Sequence, residues 1–258
     1  MAHNFIRKFD IMVSDGRRLN AATDEVIMEI PLEIIMDGRR IITIACTGHH
    51  PEELAAGYLR AEGLIEHRSD IIALCVSDEG TSVTVTTAGR LSACGKFTDD
   101  GISLMSSGAR KKRQDVITGP LTSGVTVRVE TVLRIMKDLL SSSTLHERTH
   151  GAHCSALADN TGILVFRDDI GRHNTIDMLG GHALLTGIAC TDKFLATTGR
   201  ISTEIVSKVF NLGIPVIISH SAATSRAVRF ADDAGITLIG FVRGETMKIY
   251  AHERRVTL

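Results

Sequence analysis

The 258-residue chain has no excess of charge of either sign: 29 Lys and Arg stand against 30 Asp and Glu. No global field therefore draws it to nucleic acid or to an anionic membrane, and any nucleotide specificity must be local. Long apolar runs are also missing. Stretches such as Ile214 to Ile218 are far too short to span a bilayer, and the opening MAHNFIRKFD has no apolar signal core, which predicts a cytoplasmic protein with no membrane partner. Paired cysteines are missing too. Cys46, Cys75, Cys94, Cys154 and Cys190 are odd in number and widely spaced, with no C-x-x-C pair, so free thiols are expected and a zinc knuckle or redox dithiol is not.

What is present divides into two unequal units, residues 1–124 and 125–258, each long enough to bury a core. In the first, EIPLEIIM and RRIITIAC read as strands joined at Asp37-Gly38, so ordered structure is expected to begin with this hairpin. Pro51 at a first helical turn, followed by LAAGYLRAEGLI, predicts a helix, and Ile71 to Ser77 and Ser82 to Thr87 read as two more strands. The unit is β-rich. From Ala88 to Gly124 periodicity disappears into Gly, Ser, Thr and charges, including Arg110-Lys111-Lys112-Arg113. So long a loop reads as a mobile active segment carrying Cys94, or alternatively as an interdomain linker.

The second unit opens with an apolar-striped helix over Val129 to Leu140 and a hairpin, Ala152 to Ala158 with Gly162 to Phe166. Helices and strands then alternate, which predicts an α/β layer architecture. Its strands Lys193 to Thr197, Pro215 to Ser219 and Ile236 to Val242 end in Thr198-Gly199-Arg200, Ser219-His220-Ser221 and Arg243-Gly244-Glu245-Thr246. In open α/β sheets ligands bind at such strand ends, so one broad polar cleft is expected. The densest polar stretch, RDDIGRHNTID from Arg167 to Asp177, falls at a strand-to-helix junction. Gly171 is expected to supply an unusual backbone angle there, and the free N–H groups of the helix start to hold an anion. The alternative is a capped helix whose charges pair in water. Glu204 and Lys208, four apart, read as a surface ion pair.

Several long blocks in register, CTGHHPEELAAGYLRAEGLI, THGAHCSALAD, IGRHNTIDMLGG, TGRISTEIVSKVFNLGIPVIISHSAATSRAV and ITLIGFVRGETMKIYAHERR, resemble the FdhD/NarQ family of formate dehydrogenase accessory proteins. The resemblance implies a homodimer with a deaminase-like α/β domain behind the smaller β-rich (α+β) unit. It further implies a sulfurtransferase that takes persulfide sulfur from a cysteine desulfurase and passes it to the molybdenum bis(molybdopterin guanine dinucleotide) cofactor of formate dehydrogenase.

Such chemistry requires an exposed, mobile thiol in a positive setting, and Cys94, between Arg90 and Lys96, fits that description. The family's loop reads C-G-x-C-G, but here Cys94-Gly95-Lys96 runs on to Phe97 and Thr98, so the loop lacks a second, resolving thiol. Cys154 is a conceivable stand-in, although its strand position favours a packed thiol. The same resemblance assigns the nucleotide to Phe241, Val242, Arg243, Gly244, Glu245 and Thr246. Gly199, Arg200, Ser202, Ser219 and Ser221 are expected on its phosphates. Gly171, Arg172, His173 and Asn174 are expected to line the cleft, with Asp169 and Asp177 holding Arg172 and His173 in place. His150, Met178 and Ala223 depart from the family's pattern, Met178 standing where a lysine is usual. Deamination is rejected because no P-C-x-x-C element is present and His153 is followed by Cys154 and Ser155, not by a general-base Glu, and no structural metal is expected. A non-enzymatic carrier of the molybdenum cofactor or of a guanine nucleotide is the alternative to sulfur transfer.

Overall fold

Order in the computed structural model, which describes residues 5–89, 104–105 and 119–258, begins upstream of the expected hairpin, with a two-stranded ribbon, β1 (Ile6–Ser14) and β2 (Leu19–Ile27). Its turn is held by the Asp15 carboxylate, which accepts from the amides of Arg17 and Arg18, both at 2.8 Å. The ribbon faces solvent on both sides, so its sequence lacks the in-and-out alternation that betrays a strand. Its root is anchored, where Ile6 and Ile27 pack with Leu145 and Ala152 and Arg148 donates to Glu25 at 2.7 Å.

The expected hairpin follows as β3 (Ile30–Met36) and β4 (Arg39–Cys46), with Asp37 and Gly38 both at positive φ, as the tight two-residue turn requires. With β5 (Ile71–Val76), β6 (Ser82–Thr87) and β7 (Leu104–Met105) they form a five-stranded sheet in the order β5-β6-β3-β4-β7. Helix α1 (Pro51–Ala61) starts with Pro51, whose missing N–H costs nothing in a first turn.

In the second half, β8 (Val127–Arg128) leads into α2 (Val129–Ser142), followed by the short α3 (Thr144–Thr149). The main sheet has six strands in the order β10-β9-β11-β12-β13-β14. These are β9 (His153–Asp159), β10 (Gly162–Asp169), β11 (Phe194–Thr197), β12 (Val216–Ser219), β13 (Thr237–Arg243) and β14 (Thr246–Ala251). A last strand, β15 (Val256–Thr257), pairs with β8 in parallel. On one face Val132, Ile135, Met136 and Leu139 of α2 pack on Ala156, Phe194, Ile218 and Ile239. The other face, with Leu157, Leu195, Ile217 and Leu238, is covered by α4 (Arg172–Thr186), α5 (Thr203–Asn211) and α6 (Ser225–Asp233). The result is an α/β sandwich with a smaller, β-rich N-terminal unit. No helix among the described residues is long and apolar enough to cross a membrane.

The two halves interlock through α1 and α4. Glycine permits their close approach: a Cβ on Gly57 would lie 1.7 Å from the Asp177 carbonyl oxygen, and one on Gly181 would lie 1.9 Å from that of Glu53. Met178 and Leu184 of α4 join Leu54 and Leu59 of α1 and Leu32, Ile34 and Val83 of the five-stranded sheet in one apolar cluster. A polar knot closes the same contact. The Arg167 guanidinium donates to both Glu53 carboxylate oxygens at 2.6 Å, and His182 Nδ1 lies 2.8 Å from Glu53 Oε1.

Candidate functional site

Strand directions bring the polar segments to one edge. β11, β12 and β13 run parallel, and β9 runs against them, so His153 and Ser155 at the start of β9 stand beside Thr197 at the end of β11. β10 runs against β9, so Asp169 pairs with His153 and the start of α4 reaches the same edge. This edge therefore carries Arg172, His173, Gly199, Arg200, Ser202, His220, Ser221, Phe241 and Arg243, the side on which open α/β sheets bind ligands.

Its electrostatics favour an anion. Burial and the neighbouring Arg200 hold the Arg172 guanidinium below the usual arginine pKa, with Glu204 acting in the opposite sense. Arg172 is wedged against Gly199, where an added Cβ would come within 3.0 Å of the arginine Cβ and 3.1 Å of its Cδ. Arg172 Nε and Ser202 Oγ are buried without a hydrogen-bond partner among the described residues. Buried polar atoms of this kind are expected to meet a ligand or water. Burial and then Arg172 keep His153 below its ordinary pKa, and burial and then Arg243 do the same for His220. Neither α4 nor α5 has a side-chain cap on its first-turn amides, the arrangement that binds phosphate at helix starts.

Phe241 sits on a bulge. The pairing of β13 with β14 shifts between Gly240 and Arg243, and Phe241 takes φ 52°, rare for a bulky residue, while its amide donates to the Ser221 carbonyl at 3.0 Å. Gly240 permits that approach, since a Cβ there would lie 2.9 Å from the Ser221 carbonyl oxygen. Cations from Arg243 and Lys248 lie 5.4 Å and 4.5 Å from the ring centre. The Arg243 Nε also points to the His220 carbonyl at 3.5 Å. The two cations held at the aromatic ring make this end of the edge positive.

Several expected roles change. Gly171 has an ordinary extended backbone (φ −105°); a glycine is needed there because a Cβ would sit 2.8 Å from Asn174 Nδ2. The Asn174 amide is buried and donates to the Ala45 carbonyl and to Asp169, so it supports the polar edge from beneath. Asp169 binds Thr47, Gly171 and Asn174, and Asp177 pairs with Lys208. His173 Nε2 instead lies 3.2 Å from Glu204, and Lys208 is buried, not a surface partner of Glu204. The helical spacing was right, but the helix turns Lys208 inward. Val242 is core, because the bulge points its side chain among the apolar residues under α2. Ser219 is fully buried and commits its hydroxyl to the Gly199 carbonyl (2.9 Å) and the Ser221 amide (2.9 Å), shaping the loop from beneath.

Gly244 and Glu245 form the exposed β13–β14 turn, and the exposed Thr246 opens β14. Met178 is fully buried between the halves, away from the polar edge. Cys94, Arg90, Lys96 and the basic run Arg110 to Arg113 lie outside the described residues. Cys154 is buried, and burial above all pushes its thiol up to about 11; Cys46 is pushed up to about 12 for the same reason. Sequence reasoning missed His220 and Lys248, although His220 stands within one of the polar strand ends. It also missed Thr47, whose tie to Asp169 spans 122 positions and leaves no local signal.

Residues 27–257 match the model of the FdhD/NarQ family. A "Sulfur carrier protein FdhD" of Geobacillus kaustophilus is 37% identical over 242 residues, covering 91% of both chains. The Bacillus subtilis protein of the same name is 34% identical over 253 residues, covering 96% of both. Among solved structures, a putative formate dehydrogenase accessory protein from Desulfotalea psychrophila superposes with a TM-score of 0.80 at 23% identity, over 98% of this chain and 100% of that one, a likeness of fold.

Proposed function

The chain belongs to the FdhD/NarQ family, and from that premise we propose that it is a sulfur carrier serving formate dehydrogenase. In this reading it is a cytoplasmic homodimer that receives persulfide sulfur from a cysteine desulfurase on Cys94. It then passes the sulfur to a molybdenum bis(molybdopterin guanine dinucleotide) cofactor bound as substrate at the polar edge of the six-stranded sheet. The names of the bacterial relatives support the carrier role, and the name of the Desulfotalea psychrophila protein, a formate dehydrogenase accessory protein, supports the client.

The observation that carries the nucleotide assignment is the pair Arg172 Nε and Ser202 Oγ, which have no hydrogen-bond partner among the described residues and lie buried beside a second arginine at two uncapped helix starts. A pyrophosphate supplies acceptors to those donors and neutralises the Arg172–Arg200 repulsion. Phe241, with Arg243 and Lys248 over its ring, offers the stacking surface for guanine. Loading is a thiolate exchange. The Cys94 sulfur attacks the outer sulfur of the donor persulfide, a new S–S bond forms, and the donor cysteine leaves as thiolate with the electrons of the broken bond. Cys46, Cys154 and Cys190 are buried with raised thiol pKa values, so none competes as a nucleophile; Cys75 is exposed.

Intact mass measurement after incubation with a cysteine desulfurase and cysteine tests this reading. One added sulfur is expected on the wild type and on Cys75→Ala, and none on Cys94→Ala. The single cysteine of the loop favours a second reading, a carrier of the cofactor without sulfur transfer, and guanosine diphosphate binding with no sulfur adduct on the wild type would select it. Titration of guanosine diphosphate into Arg243→Ala tests the edge, and affinity equal to the wild type would remove the nucleotide assignment.

A further inference from the structure

We propose that Thr47, on the N-terminal unit, is a positioning residue for the anion-binding edge, acting through Asp169 and Asn174 on the first turn of α4. The inference rests on the nucleotide reading above and adds the N-terminal unit to it. The Asp169 carboxylate is 0% exposed, and its two oxygens serve different halves of the molecule. Oδ2 accepts from the amide and hydroxyl of Thr47 at 2.8 and 2.9 Å. Oδ1 accepts from the Gly171 amide at 2.9 Å and from Asn174 Nδ2 at 2.7 Å. The same Asn174 nitrogen donates to the Ala45 carbonyl at 2.8 Å, two residues before Thr47. One buried carboxylate thus joins the end of β4 to the residue immediately before Arg172.

Arg172 has no slack on either side of this clasp. Gly171 has no room for even a Cβ beneath Asn174, and the Arg172 side chain packs closely against Gly199 of the neighbouring loop. A carboxylate sealed from water needs its donors, and loss of one is relieved by movement of whichever partner is free to move. Removing the Thr47 hydroxyl therefore shifts the Asp169–Gly171 link, and with it the guanidinium that meets the phosphates. Linkage makes the effect reciprocal: a ligand that fixes Arg172 also tightens the clasp at Thr47.

The test is calorimetric titration of guanosine diphosphate into wild type, Thr47→Val and Thr47→Ser, with hydrogen exchange on the segment 45–50 of the wild type. Thr47→Val is expected to bind about tenfold more weakly while keeping a cooperative melting transition, and Thr47→Ser to return affinity to within about twofold. Exchange of the Thr47 amide is expected to slow when the nucleotide binds, a response that a purely structural bond would not give and that depends on no variant's folding. Wild-type binding accompanied by equal affinity in Thr47→Val, or by nucleotide-independent exchange at Thr47, would overturn the positioning role alone. If the wild type binds no guanosine diphosphate, the nucleotide reading fails and the positioning role falls with it.

Discussion

Lys208 carries its charge into the interior, 4% exposed, and survives there because Asp177, equally enclosed, accepts its ammonium. Lys208→Met leaves the Asp177 carboxylate buried without its cation and is expected to cost about 3 kcal/mol in urea unfolding. The double variant Asp177→Leu/Lys208→Met is expected to recover most of that loss, because an apolar pair of similar volume avoids desolvating two charges. The sequence placed Glu204 and Lys208 on one helix but could not say which residue turned inward. The cue was present: Lys208 falls on the stripe of Ile205 and Val209, the face that α5 buries. A lysine on such a stripe implies a buried carboxylate, and Asp177 stands in the densest polar cluster of the chain.

Among the elements, the crossing of α1 and α4 sets the spacing of the two halves. Gly57→Ala places a methyl within bonding distance of the Asp177 carbonyl, so the helices must separate. That change is expected to cost about 3 kcal/mol or more, read as a lowered melting temperature. Gly124→Ala, whose Cβ meets nothing, is the control and is expected to stay within about 0.5 kcal/mol of the wild type. Most elements were legible because apolar period, Pro51 and the Asp37-Gly38 turn act locally. The ribbon of β1 and β2 was not, since strands exposed on both faces carry no burial pattern. The bulge at Phe241 was equally hidden. It arises from the shifted register of β13 against β14, a relation between two strands that neither one encodes by itself.

For the whole molecule, acid is expected to loosen the contact between the halves in two stages. Burial, then Arg167, hold His50 below its ordinary pKa, and burial, then Arg172, do so for His153. The unfolded chain therefore binds protons first, and stability falls as pH drops below about 6.5 toward the lower folded values. Glu53 is held below its ordinary value because hydrogen bonds from Arg167 and His182 outweigh its burial. Asp168 behaves likewise through His49 and Ser143. Their contribution is complete above about pH 4.5 and is lost as pH falls through their depressed folded values. Melting temperatures measured from pH 8 to 3 should thus be level above about pH 7 and descend twice. In Glu53→Gln the second descent should be shallower, from a lower starting stability.

The sequence by itself determined the α/β alternation, the β-rich first unit and the crowding of polar residues at strand ends, because hydrophobic period and turn chemistry act within a few residues. Its long ordered blocks also determined the family. Only the tertiary structure decided which of those polar residues lie on the sheet edge and which are buried beneath it. Asn174, Asp169, Asp177 and Ser219 support the edge from beneath, and Arg172, with its unsatisfied Nε, lies within the edge itself. The physical reason is distance along the chain. A buried carboxylate takes its donors from wherever the fold brings them, and for Asp169 two of them come from Thr47, 122 residues away.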